Sequence, residues 1–487
     1  MSPKLTITLF LISIVAFCPK SFAQHWDEAL YAEIESRIQP HTFSEKVYYI
    51  TQYGAKTGAS AKQNQKAINL AIKKCSQKGG GRVIVPEGLW KTGAIRLQDN
   101  VNLYIEEGAI LQFAFQPELY PIVRTRWEGL DIMNYSPCIY AYKAKNVAIT
   151  GKGTIDGGGS QETWWPWCGA VKYGFEDGVT TESQSMPWTG NAKFGKDKDG
   201  SILTNRNTLL QMSDEGTPVE KRIFGQGHGM RPQLINFMEC ENILMDGVTL
   251  LRSPFWVIHP TLSRNITIRN CKIINNGPNG DGCDPESCED VLIENCIFHT
   301  GDDCIAIKSG RNADGRRANR PSQNIIIRTC TMEDGHGGVV IGSEISGSVR
   351  NVFAEDCQMD SPNLDRVLRI KTNTCRGGMT EGIYMRNIKV GQCREAVMRI
   401  NLVYEPKERS QRGFLPTVRN VHMTNVTCQG SRYGILLNGL EDQENIYDIH
   451  VTDCRFNGVK ENPVQRTGLS KEVHFTNLII NGKEIEE

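Results

Sequence analysis

A short pattern of alternating apolar and polar residues recurs along most of the chain. Each copy from residue 242 onwards spans seven residues, begins with Asn or Asp (Gly or Glu in two copies) and closes with Cys or an aliphatic residue. Because alternation with a period of two puts successive side chains on opposite faces of a strand, each copy predicts a short β-strand. The copies begin at Asn100, Asn146, Asn242, Asn265, Asp290, Asn324, Asn351, Gly382, Asn420, Asp448 and Glu472.

The spacing of the copies indicates the architecture. Successive starts from residue 242 lie 23, 25, 34, 27, 31, 38, 28 and 24 residues apart, and periods of about 20 to 50 residues are typical of solenoids. One coil cannot bury its own inner face, so the strands must stack on neighbours about 4.8 Å away. We therefore predict an all-β parallel β-helix.

Two further segments complete the predicted domain of residues 24–487. Residues 60–78 place Ala67, Ile68, Ala71, Ile72 and Cys75 on one helical face before Gly79-Gly80-Gly81, which predicts an N-terminal capping helix. A segment from about 153 to 235 breaks the repeat and contains Trp164, Trp165, Trp167 and Trp188. We predict a loop insertion there, whose aromatic side chains either pack or wall a cleft.

The first 23 residues have the pattern of a secretory leader. Lys4 precedes an apolar run from Leu5 to Phe17, and small residues stand before Gln24 where a signal peptidase cuts. We predict that residues 1–23 are removed and that the protein is secreted or periplasmic; a retained N-terminal anchor is the alternative. No other segment approaches the roughly 20 apolar residues of a transmembrane helix, so we expect no membrane insertion after cleavage.

Composition narrows the partners and explains the cysteines. The 487 residues carry 55 basic and 55 acidic side chains, which argues against a nucleic-acid partner. Removal of Cys18 leaves 15 of the 16 cysteines, so at least one has no partner within the chain. One cysteine per coil lacks the paired spacing of a zinc site and predicts a buried ladder instead; its members are Cys271, Cys296, Cys330, Cys357 and Cys454.

Titratable residues gather when neighbouring coils are aligned. The aligned segments are Gly280–Cys283, Gly301–Cys304 and Gly335–Gly338. The alignment predicts that Asp281, Asp302 and His336 stack on one face, with Asp303 beside Asp302. Like charges this close raise the pKa of at least one carboxyl group, as a general acid at neutral pH requires.

Turns of a β-helix also use aspartates for local hydrogen bonds, which is the interpretation we prefer for Asp284 and Asp290. Arg369 and Lys371 lie two residues apart on one strand face. They suit the carboxylate of a uronic acid, although a solvated strand face is the alternative. Tyr404 and His259, in neighbouring coils, are further candidates for substrate contact.

At this point the residues carry a family resemblance. In order along the chain, Asn279-Gly280-Asp281, Gly301-Asp302-Asp303, Gly335-His336-Gly337 and Arg369-Ile370-Lys371 resemble the four motifs of the polygalacturonases of glycoside hydrolase family 28. The resemblance covers most of the mature chain and implies a single-stranded, right-handed parallel β-helix of the pectin-lyase-like type. That family commonly has Asn-Thr-Asp where this chain has Asn279-Gly280-Asp281, which suggests a subgroup with a different substrate preference.

The resemblance implies hydrolysis of α-linked galacturonic acid bonds in pectic substrates, with inversion. Asp302 would be the general acid, with its protonation tuned by His336, and Asp281 and Asp303 would position and deprotonate the attacking water. Carboxylates one coil apart lie about 5 Å apart, closer than the about 6.5 to 9.5 Å usual for inverting pairs. On stereochemistry we follow the family.

It also implies that Arg369 and Lys371 hold the substrate carboxylate and that Tyr404 contacts the sugar. The segment Gly310–Arg317 predicts a loop that presents Arg311, Arg316 or Arg317 to a terminal uronate, unless it is a solvated basic loop. This pattern resembles exo-acting bacterial members, so we predict release of terminal galacturonate.

Three alternatives stay open at the level of sequence. One is a rhamnogalacturonan-type linkage, and another is a lyase that holds Ca²⁺ with the three aspartates. The third is a non-catalytic glycan-binding β-helix. We expect a monomer and neither a metal nor a cofactor. A nucleotide cofactor in particular is not indicated, because no glycine-rich loop joins a strand to a helix.

Overall fold

The structure, a computed structural model, describes residues 26–168, 205–226 and 228–486. The predicted leader, Cys18 and Trp188 lie outside the described residues. Strands β1 to β38 are numbered in chain order. The helices of the described part are α1 (Glu28–Arg37), α2 (Ala61–Gln77), α3 (Asn205–Asp214) and α4 (Asn312–Ala318), with 3-10 turns at Ile50–Tyr53, Pro117–Leu119, Trp165–Cys168 and Val219–Lys221.

Most strands form three faces that run the length of the molecule. Face 1 comprises β1 (Val47–Tyr49), β2 (Gly81–Val85), β5 (Val101–Ile105), β10 (Lys145–Gly151), β13 (Glu241–Asp246), β16 (Arg264–Arg269), β18 (Glu289–Glu294), β21 (Ser322–Arg328), β24 (Val349–Glu355), β27 (Met379–Arg386), β30 (Thr417–Thr424), β33 (Ile446–Thr452) and β36 (Val473–Thr476). Face 2 comprises β3 (Gly88–Thr92), β6 (Ala109–Phe113), β11 (Thr154–Asp156), β14 (Thr249–Leu251), β17 (Lys272–Asn275), β19 (Ile297–Thr300), β22 (Thr331–Asp334), β25 (Gln358–Met359), β28 (Lys389–Val390), β31 (Thr427–Cys428), β34 (Arg455–Phe456), β37 (Ile479–Ile480) and β38 (Lys483–Glu484).

Face 3 is divided by one coil in which paired residues form only isolated bridges. Its first part comprises β4 (Ile95–Arg96), β9 (Ile139–Tyr142), β12 (Ile235–Met238) and β15 (Ile258–Thr261). Its second part comprises β20 (Ile305–Ile307), β23 (Val339–Gly342), β26 (Arg366–Lys371), β29 (Ala396–Asn401), β32 (Tyr433–Asn438) and β35 (Val464–Thr467). Cys283 and Glu286 bridge the two parts. The strands of all three faces pair in parallel, except that β38 is antiparallel to β37, and the fold is the predicted right-handed parallel β-helix.

The residue that opens each repeat has a left-handed backbone. All eleven opening residues have φ between 49° and 65°, a conformation that Asn, Asp and Gly adopt at least cost. Their amides also bond from coil to coil: Asn242 Nδ2 donates to Asn146 Oδ1, and Asn265 Nδ2 to Asn242 Oδ1, each at 2.7 Å. The repeat therefore encodes a bend as well as a strand.

The residues that close the repeats fill the interior. The predicted cysteine ladder is confirmed, since Cys271, Cys296, Cys330, Cys357 and Cys454 are at most 1% exposed. The capping helix is also confirmed as α2, which Ser60 caps by accepting a hydrogen bond from Gln63 N and which buries its predicted apolar face. A side chain at Gly80 would meet Asn100 O at 2.4 Å, so the glycine stop is required sterically.

The repeat pattern does not predict two elements. Strands β7 (Ile122–Trp127) and β8 (Leu130–Tyr135) form an antiparallel hairpin that packs with α3. Helix α1 packs Tyr31 and Ile34 against the outside of face 1, together with Trp26, which lies just before the helix. In the predicted insertion, Trp164 and Trp167 are buried against each other and against Phe115, so they serve packing and do not line a cleft.

No helix within the described ranges is both long enough and apolar enough to cross a membrane.

Candidate active site

The second part of face 3 brings the aligned aspartates together. Asp302 and Asp303 precede β20, and Asp281 lies in the coil before them. Backbone pairing fixes their levels: Gly282 N donates to Asp303 O at 3.0 Å and His336 N to Asp302 O at 2.9 Å. Carboxylate oxygens of Asp281, Asp302 and Asp303 all lie within 4.8 Å of one another.

Asp302 forms a pair with His336. Its Oδ1 lies 3.0 Å from His336 Nδ1, and the imidazole is 34% exposed. The hydrogen bond to Asp302 raises the pKa of His336. Burial raises the pKa of Asp302, but the hydrogen bond to His336 and the charges of His336 and Lys371 together outweigh burial, and the net pKa lies below its usual value. The proton of this pair therefore resides on His336, and the raised carboxyl pKa expected of the cluster is found at Asp281 and not at Asp302.

Asp303 is held by the two predicted cations. Lys371 Nζ lies 2.7 Å from its Oδ2, and Arg369 Nη1 lies 3.2 Å from its Oδ1. Burial raises the pKa of Asp303, but Lys371 and Arg369 outweigh burial and hold it well below its usual range. Asp303 is therefore a carboxylate, and both cations are already paired with it.

Asp281 has the opposite surroundings. Burial, followed by the charges of Asp284 and Asp302, raises the pKa of Asp281 well above its usual range. Asp284 is 0% exposed, and burial raises its pKa to about 8. One cation faces both groups, because Lys308 Nζ lies 3.7 Å from Asp281 and 3.6 Å from Asp284.

The turn interpretation of Asp284 is therefore wrong, and sequence reasoning missed Lys308 altogether. Neither carboxylate oxygen of Asp284 bonds to a turn amide. A signal was available: Asp284 follows Asp281 by three residues in the same coil, and Lys308 ends the strand that follows Asp303. The three clustered aspartates have a spacing that a cation would accept. Each already faces a basic group, because Lys371 and Arg369 pair with Asp303, His336 pairs with Asp302 and Lys308 faces Asp281, so we assign no metal.

Comparison with known proteins agrees with this arrangement. Residues 222–452, which contain every one of these side chains, match the model of glycosyl hydrolases family 28. An exopolygalacturonase of known structure from Thermotoga maritima is 39% identical, with a TM-score of 0.83 over 94% of this chain and 97% of its own. This chain belongs to glycoside hydrolase family 28.

Two curated relatives of this family 28 protein extend the comparison. An exo-poly-alpha-D-galacturonosidase from Dickeya chrysanthemi is 28% identical over 89% of this chain and 70% of its own length. A probable polygalacturonase from Vitis vinifera is 30% identical over 67% of this chain, which spans 57% of that relative's length. The polygalacturonase of Erwinia carotovora, at 22% identity and a TM-score of 0.59, shares the fold.

Two predicted binding residues of the family 28 protein lie away from the cleft surface. His259 is 0% exposed, with Nε2 2.8 Å from Glu286 Oε2, which in turn pairs with Arg126 at 3.0 Å. Burial lowers the pKa of His259 although Glu286 opposes the shift. The prediction that His259 contacts substrate is wrong, because its ring is enclosed among these partners.

Arg311 is also misassigned. Residues 312–318 form α4, not an exposed loop, and Arg311 is 1% exposed. Its guanidinium pairs with Glu128 at 2.8 Å and Glu408 at 3.1 Å. A side chain saturated in this way is not available to a terminal uronate.

The same buried ion pairs position Tyr404. Glu408 also accepts hydrogen bonds from Arg376 at 2.5 Å and from Asn373 at 3.2 Å, and Asn373 Nδ2 donates to Tyr404 O at 2.9 Å. The Tyr404 ring lies 5.5 Å from Lys371 Nζ, beside the cation pair of Asp303. The structure thus brings Tyr404 to the cluster.

Proposed function

We propose that this protein hydrolyses α-linked galacturonic acid bonds at a chain end of pectic polysaccharides or oligosaccharides, with inversion. The observation that carries the proposal is the Asp302–His336 pair beside the carboxylates of Asp281 and Asp303. A proton donor and water-activating carboxylates are the two functions that glycoside hydrolysis needs. The names of the Thermotoga and Dickeya relatives support the substrate and the exo mode.

In the proposed mechanism, the proton held on His336 moves across the 3.0 Å hydrogen bond to Asp302, which delivers it to the leaving oxygen. Asp303, held ionised by Lys371 and Arg369, and Asp281 orient and deprotonate the attacking water. When substrate enters, its carboxylate attracts the same two cations, since Arg369 is 11% and Lys371 9% exposed beside Asp303. General acid and base catalysis of this kind contributes about 10² to 10⁴-fold each.

Coverage of face 3 on one side of the cluster supports the exo mode. Tyr140, Asn236 and His259 point outward on neighbouring strands, yet each is at most 2% exposed. The hairpin of β7 and β8 covers them: Tyr140 Oη donates to Arg124 O at 2.5 Å. Beyond the cluster, Arg399 on β29 is 23% exposed. Face 3 is therefore covered before Asp281 and less covered beyond Arg369, a difference that suits binding of a chain end.

Product size tests this proposal. Oligogalacturonides of defined length should release galacturonic acid alone from the first time points, because an exo-acting enzyme removes one terminal residue at a time. A ladder of intermediate oligomers would contradict the exo mode. Release from rhamnogalacturonan oligomers only would identify the rhamnogalacturonan-type linkage instead.

The lyase alternative is separated by its product. A calcium-dependent lyase forms an unsaturated uronate, whose ultraviolet absorbance would disappear with a chelator. We expect neither the absorbance nor chelator sensitivity, because Lys308, Lys371 and Arg369 supply the positive charge at the cluster. A glycan-binding protein without catalysis would release no product at all.

The leader pattern of residues 1–23 supports a further proposal, that the protein acts outside the cytoplasm after cleavage. We propose separately that it does so as a monomer. Mass spectrometry of the exported protein should give a mature chain beginning at Gln24, and light scattering should give the monomer mass.

A further inference from the structure

Lys308 faces more negative charge than it can balance. Besides Asp281 and Asp284, its Nζ lies 3.3 Å from Glu344 Oε2, and the Lys308 side chain is 3% exposed. The indole of Trp256, 4.5 Å from Nζ, covers its remaining side. Three carboxyl groups thus meet one ammonium in a site closed to water.

Glu344 has other partners. Arg376, Arg311 and Lys371 add their charges to that of Lys308, and together they outweigh burial and keep the pKa of Glu344 well below its usual range. Ser343 Oγ also donates to Glu344 Oε1 at 3.1 Å. Lys308 therefore remains the shared cation of Asp281 and Asp284.

Asp284 accepts no hydrogen bond from its surroundings, since Lys308 Nζ at 3.6 Å lies beyond hydrogen-bond distance. Both carboxylate oxygens of Asp284 are buried, and neither accepts a hydrogen bond from an N–H or O–H group. The Asp284 side chain does contact the side chain of Asp281. Two ionised carboxylates cannot hydrogen-bond to each other, and an unsatisfied buried carboxylate is costly. One proton between the two groups satisfies both and leaves a single negative charge opposite Lys308. Asp303 and Asp302, the other acids facing Asp281, are paired with their own partners.

We propose that Asp281 and Asp284 share one proton beneath Lys308, and that Asp284 is a positioning residue which fixes the orientation of Asp281 in the cleft. The pair keeps one carboxylate equivalent free to accept the proton of the attacking water. That catalytic consequence rests on the proposed function, whereas the shared proton does not.

Infrared difference spectroscopy tests the shared proton directly. At neutral pH the wild-type protein should show the carbonyl band of a protonated carboxyl, and the band should be lost in both Asp281→Asn and Asp284→Asn. Glu344→Gln, a matched change beside the same lysine, should retain it. Absence of the band from the wild type, or its persistence in either aspartate variant, would overturn the proposal.

Variants of Lys308 provide a second infrared test of the shared proton. Lys308→Met should bind a second proton and roughly double the band, whereas Lys308→Arg should leave it unchanged; an unchanged band in Lys308→Met would contradict the balance of charge.

For Asp284→Asn we expect a loss in kcat of about tenfold to a hundredfold with KM little altered, because Asp281 loses its partner and basicity. A rise in KM alone would show that Asp284 contacts substrate and does not position Asp281. If the wild type showed the band but no hydrolysis, the proposed function alone would fail.

Discussion

Asp303 and Asp281 lie in one cluster and differ in what surrounds them. Asp303 pairs directly with two cations, Lys371 and Arg369, and is held ionised. Asp281 shares one cation with a second carboxyl group, and its pKa is raised. Equal burial thus produces opposite protonation, because the ratio of cations to carboxylates decides the sign of the shift.

The largest effect is expected at Asp302, which lies between these two regions. Asp302→Asn removes the proton donor and should lower kcat by about 10² to 10⁴-fold with substrate binding retained. Initial rates and calorimetric binding of an oligogalacturonide measure the two quantities. Full residual activity would refute the role of Asp302, and loss of binding would indicate a wider disruption of the cleft.

A smaller loss of activity is expected when the surroundings of Asp303 are made to resemble those of Asp281. Lys371→Met leaves one cation for Asp303 and should raise its pKa, so that the acid limb of the kcat/KM profile moves to higher pH. Arg399→Met changes a cation at the next level of face 3 that pairs with Glu395 and not with the cluster, and should leave the limb in place. Equal shifts in both variants would contradict the specific pairing.

The smallest effect concerns the pH dependence of stability at the Asp302–His336 pair. The folded pKa of His336 is raised, so its stabilising contribution is full below the unfolded value of about 6.5 and is lost as pH rises through the folded value. The pKa of Asp302 is lowered, so its contribution is lost only as pH falls through that lower value. The free energies of unfolding of wild type and His336→Gln, measured with urea, should differ most at pH values between the folded pKa of Asp302 and the folded pKa of His336. A difference that grows above pH 7 would contradict the pair.

The sequence predicts the solenoid because each coil repeats the same two constraints. A residue with a left-handed backbone must open each strand, and a small apolar residue must follow it in the interior. Asn242 and Cys271 show these two requirements in the sequence. The grouping of Asp281, Asp302, Asp303 and His336 follows from the same alignment.

Burial by segments outside the repeat could not be predicted in this way. His259 and Arg311 appear as polar residues near the cluster, and only the hairpin of β7 and β8 and helix α4 enclose them. The partner of Asp281 was overlooked for a related reason, since a turn aspartate and a buried acid such as Asp284 look alike in sequence. Asp284 is recognised as the partner of Asp281 only from the position of the Lys308 ammonium between them, which the sequence does not reveal.

The most direct test of the account is the anomeric form of the first product. The nearest oxygens of Asp281, Asp302 and Asp303 lie within 4.8 Å, inside the spacing usual for retention, whereas family membership implies inversion. Proton NMR during digestion of an α-linked oligogalacturonide should show β-galacturonic acid first, with the α form appearing only by mutarotation. Initial release of the α form would contradict inversion and would make one of these carboxylates a nucleophile.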